Sequence, residues 1–61
     1  MSILTEPQDV LKALAANQAA RARYEALPPS HKAEYLTWID EAKRPATRER
    51  RIAGMIERLT T

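Results

Sequence analysis

Residues 24–59 read YEALPPSHKAEYLTWIDEAKRPATRERRIAGMIERL, and two proline breaks inside this stretch decide the fold. Pro28-Pro29 must end any helix that precedes them, because a proline disfavours helical geometry in the residue before it. Ser30 follows as a strong N-cap, which predicts a helix over roughly residues 31–43. Pro45 closes that run and can open the next one, since its missing N–H has no intrahelical partner in a first turn. Behind it Ile52, Met55, Ile56 and Leu59 recur at i, i+3, i+4 and i+7, the pattern of an amphipathic helix. Gly54 falls inside that helix, where it costs ~1 kcal/mol relative to alanine. The gap it leaves would let another backbone or a phosphate come close.

Towards the N-terminus the signals stay helical. Thr5 and Gln8 have the spacing of a capping box, and Pro7 is tolerated in a first turn. With Val10, Leu11 and Leu14 at helical spacing they predict a first helix over residues 7–16. Asn17 is a good N-cap for a second, on which Ala20, Tyr24 and Leu27 share a stripe. No strand, repeat or low-complexity linker interrupts the pattern. The expectation is an all-α fold, a compact small bundle of four short helices forming one domain over residues 1–61. Its core is expected to contain Leu14, Tyr24, Leu27, Tyr35, Trp38, Ile39, Ile52, Met55, Ile56 and Leu59. On the third helix His31, Tyr35, Trp38, Ile39 and Ala42 share one face, opposite Glu34, Thr37, Asp40 and Glu41. Trp38 then reads as the largest core anchor, and its replacement by alanine would cost ~3–5 kcal/mol.

The chain has 61 residues, no cysteine and one glycine, and 44% of it is hydrophobic. Alanine supplies 11 of those hydrophobic residues, so the core is thin and a partner or a second copy would add stability. The lack of cysteine excludes a disulfide framework and thiolate chemistry, and favours a cytoplasmic setting. No apolar run approaches the ~18 residues of a membrane span. Charge is uneven: residues 1–42 sum to −2 and residues 43–61 to +4. That basic third suits an anionic partner, or neutralises the other half of the fold.

Catalytic and metal chemistry find no footing. His31 is the only histidine, and without further His or Cys ligands it cannot build a zinc site. Its simpler reading is a ring packed beside Tyr35. Ser30 next to His31 resembles a nucleophile and its base, yet no third group orients the base and no oxyanion site is in view. No cofactor is implied. The candidate interaction surface is Lys43, Arg44, Thr47, Arg48, Arg51 and Arg58. Within it Arg48 reads as a clamp between helices, seeking Glu34, Asp40 or Glu41. Asp40 and Arg44 form an i, i+4 pair if the helix continues that far. Arg51 and Arg58 are expected to face outward with Lys43 and Arg50.

The order of residues from Tyr24 onward is similar to the small helical domain of the bacteriocin-protection, YdeI/OmpD-associated family. The resemblance is carried by Tyr24 and Leu27, Pro29-Ser30-His31, Tyr35, Trp38-Ile39, Ala42-Lys43-Arg44, then Thr47-Arg48 and Arg51-Ile52. It covers residues 24–59 strongly and reaches Ala13-Leu14 weakly. It implies a bacterial cytoplasmic protein linked by name to envelope stress and protection from antimicrobial peptides, and it carries no catalytic residues to transfer. Leu27, Ser30, His31, Tyr35, Trp38, Ile39, Ala42 and Ile52 are expected to be structural members of that pattern. The resulting expectation is a non-catalytic interaction module meeting an acidic protein or another anion. Nucleic-acid binding through the basic face of the last helix is the alternative, and self-association stays open.

Overall fold

Four helices, α1 (Gln8–Ala15), α2 (Gln18–Glu25), α3 (Pro29–Asp40) and α4 (Pro45–Thr60), make up the computed structural model, which describes residues 6–61. Each boundary has a local cause. Pro7, extended at φ −60° and ψ 151°, is the N-cap of α1, and Gln8 is the first helical residue. The expected capping box needed Gln8 two places further along, and its other member, Thr5, lies outside the described residues. Asn17 caps α2 as expected, its Oδ1 accepting the Ala20 N–H at 3.1 Å. This confines the α1–α2 turn to Ala16 and Asn17.

At the Pro-Pro turn the structure differs from the expectation by two residues. Pro28 is the N-cap of α3 and Pro29 its first residue, so Ser30 sits inside the first turn, exposed and without a side-chain cap. Proline's fixed φ suits the first helical position, and it moves the start two residues towards the N-terminus. α3 also stops at Asp40 rather than near 43. Arg44, held extended at φ −98° and ψ 139° by the following Pro45, becomes the N-cap of α4.

The longest helix, α4, packs against the other three. Val10 and Leu14 from α1, Ala20 and Tyr24 from α2, Leu36 and Ile39 from α3, and Ile52, Met55 and Leu59 from α4 form one buried cluster. Ile39, Met55 and Val10 are its largest fully buried side chains. Four expected core members, Leu27, Tyr35, Trp38 and Ile56, are only half-buried around this cluster. The buried stripe of α3 is thus rotated from the expected one by less than a single residue's ~100°. Leu36 takes the place expected for Trp38. An aliphatic side chain leaves no polar atom to satisfy in the core, whereas the indole N–H favours a half-wet position.

Candidate interaction surface

Arg48 is built into the scaffold. It lies on the core-facing side of α4 with its side chain 24% exposed, and its guanidinium spans two other helices. Nε and Nη2 donate to the Asp9 carboxylate in the first turn of α1, the latter at 3.2 Å. Nη1 donates to Asp40 Oδ1 at the last residue of α3, 2.8 Å away. These hydrogen bonds from Arg48 hold the Asp9 carboxyl below its ordinary range, and raise the guanidinium's own pKa still further. Asp40 was among the expected partners; Asp9 was not. It lies 39 residues away in sequence, and nothing in a one-dimensional pattern sets α1 against α4. The expected Asp40–Arg44 pair does not form, because α3 ends at Asp40 and Arg44 is extended.

Arg51 also turns inward, contrary to the expectation. Its Nη1 donates to the Trp38 carbonyl at 2.6 Å. That oxygen belongs to the last turn of α3; there the Thr37 and Ile39 carbonyls accept from the Glu41 and Ala42 N–H groups, and Arg51 caps the Trp38 carbonyl from a neighbouring element. The same guanidinium rests 5.5 Å from the Trp38 ring centroid, and that of Arg58 lies 5.4 Å from it. The indole occupies the gap at Gly54, in the position foreseen for a backbone or a phosphate.

The remaining pattern residues are dispersed. Lys43 and Arg44 are exposed in the α3–α4 connection, Arg50 and Arg58 are exposed on α4, and Thr47 is half-buried at its edge. Leu27 packs against the core from the α2–α3 turn, while Ile39, Ala42 and Ile52 are buried. His31 is exposed and, with Glu34, Tyr35, Trp38 and Arg58, lines a cleft of about 280 Å³. A second depression, about 480 Å³, runs between α1 and α4 over Ala13, Ile52, Ala53 and Ile56, with Asp9, Lys12 and Glu49 at its rim.

Among the described residues no group of three or more His, Cys, Asp or Glu side chains converges on a point. None of the described helices is long and apolar enough to cross a membrane. No curated protein and no solved structure matches the chain. A family model does, over residues 4–61. The ordered Tyr24-to-Ile52 pattern, the four-helix fold and this nearly full-length match agree, and the chain belongs to the bacteriocin-protection, YdeI or OmpD-associated family.

Proposed function

We propose that this chain is a non-catalytic, cytoplasmic interaction module that meets an acidic partner protein through Lys43, Arg44, Arg50 and Arg58. One observation carries the reading: Arg48 and Arg51 are occupied within the fold, whereas these four cations are exposed and pair with no carboxylate among the described residues. Uncompensated charge of one sign attracts an oppositely charged partner and speeds its encounter. A nucleic-acid stripe along α4 is a poorer fit. Arg48 and Arg51 are withdrawn into the fold, which interrupts the row of cations a phosphate backbone would follow. The family name ties the module to bacteriocin protection; like charge on this surface disfavours direct capture of a cationic peptide.

Fluorescence anisotropy of a labelled glutamate-rich peptide and a labelled DNA duplex, at ~0.15 M salt, tests this reading. The peptide is expected to bind, with affinity falling at least ~10-fold when Lys43 and Arg44 are both changed to glutamate. Preference for the duplex would replace the acidic protein with nucleic acid. Binding to neither would overturn the interaction surface.

A further inference from the structure

Arg51, Gly54 and Arg58 follow one another at about one helical turn on the α3-facing flank of α4. The Trp38 indole fills the middle position: a Cβ at residue 54 would stand 3.5 Å from its Cη2. Arg51 and Arg58 both lie over this indole, yet they are chemically unequal. Arg51 spends an N–H on the Trp38 carbonyl. Arg58 is exposed and makes no hydrogen bond or ion pair among the described residues. A guanidinium attracted to the face of an aromatic ring keeps N–H groups free for an acceptor. Arg58 borders the cleft shared by His31, Glu34, Tyr35 and Trp38.

We propose that this cleft is a docking site for one carboxylate of an acidic peptide, held by Arg58, with the peptide chain lying across Tyr35 and Trp38. The inference rests on the basic-surface reading and names the residues at its centre. A guanidinium fork matches a carboxylate through two parallel hydrogen bonds, and the indole pre-orders that fork before the ligand arrives. Tyr35 and His31, both residue types able to donate a hydrogen bond, line the same cleft. Glu34 sets the selectivity. Its negative charge in the cleft wall repels an extended polyanion more than a single carboxylate, so the site selects an isolated Asp or Glu over a run of phosphates.

Trp38 is the only tryptophan, so its emission and its indole N–H resonance report on the site directly. The full chain is titrated with a capped peptide carrying one Glu in an Ala/Ser/Gly background, with its Gln counterpart, and with a single-stranded oligonucleotide. The Glu peptide is expected to shift the Trp38 signals saturably and the Gln peptide to leave them still. Arg58→Gln should weaken that binding about 10-fold and Arg58→Lys by less, because lysine keeps the charge and loses the fork. Arg23→Gln, on α2 and outside both the cleft and the basic surface, should leave it unchanged. Equal loss in Arg23→Gln and Arg58→Gln, or stronger binding of the oligonucleotide, would overturn the carboxylate site. If a glutamate-rich peptide binds through Lys43 and Arg44 while Trp38 stays silent, the cleft inference fails and the basic-surface reading stands. If that peptide does not bind at all, both fail.

Discussion

A methyl group at residue 54 would meet Trp38 Cη2 at 3.5 Å, an ordinary van der Waals distance. The indole therefore tolerates a Cβ there, and the backbone freedom of glycine serves no positive φ at this site. Gly54→Ala is expected to stabilise the fold by ~0.5–1 kcal/mol, the helix-propensity difference, and to raise Tm by several degrees. A calorimetric scan showing a lower Tm would mean that the indole sits more tightly on the helix than this contact indicates. Burial likewise separates two large side chains. Met55 is 0% exposed at the centre of the core, so Met55→Ala should cost ~2–5 kcal/mol, a large part of the stability of so small a domain. Trp38 is half-buried between α3 and α4, so Trp38→Ala should cost only ~1–2 kcal/mol and leave a folded protein. Urea unfolding followed by far-ultraviolet circular dichroism, which does not depend on Trp38, ranks the two. The reverse order would restore Trp38 as the principal anchor.

Helix number, order and most boundaries were legible from residues that act locally. Asn17 caps α2, Pro28-Pro29 separates α2 from α3, and Pro45 opens α4. The rotation of α3 was less legible, because Tyr35, Leu36, Trp38 and Ile39 spread apolar surface around much of that helix and leave its phase open. The partners of Arg48 and Arg51 were legible only in kind. That Arg48 seeks a carboxylate follows from its chemistry; that one of them is Asp9 follows from how α1 lies on α4, which depends on the whole assembly. Arg48 thereby joins α1 and α3 to α4 through one side chain. Asp9 and Asp40 are 46% and 61% exposed, so solvent screens each pair. Asp9→Asn should accordingly speed hydrogen exchange in α1 about two- to five-fold while sparing α3, and a 1 M salt buffer should shrink that difference. Uniform acceleration in both helices would show that Asp9 supports the whole fold rather than the docking of α1.

The molecule measures 30 × 28 × 17 Å, and its short dimension is less than two packed helix diameters of ~10–12 Å each. Its chemistry is thus displayed on surfaces and shallow clefts, and its stability depends on groups never far from water. Two of them shape how the whole fold responds to pH. The Asp9 carboxyl titrates below its ordinary 3.8, chiefly through the Arg48 hydrogen bonds. Its contribution is therefore present above pH 3.8 and is lost as the pH falls through the lower folded value. Tyr24 has the opposite shift. Burial first, and then the Glu6 carboxylate that accepts its hydroxyl at 3.4 Å, push the phenol from 10.0 to about 12. The folded chain holds that proton more tightly than the unfolded one, so the contribution is complete below pH 10 and disappears as the pH rises from 10 to about 12. Tyr24→Phe keeps the buried ring and removes the titration. Because the hydroxyl contact is long, the variant should lose no more than ~1 kcal/mol at pH 7. It should also unfold in urea with a midpoint that falls less steeply between pH 10 and 12 than that of the parent. An alkaline limb equally steep in both proteins would show that Tyr24 is not its origin.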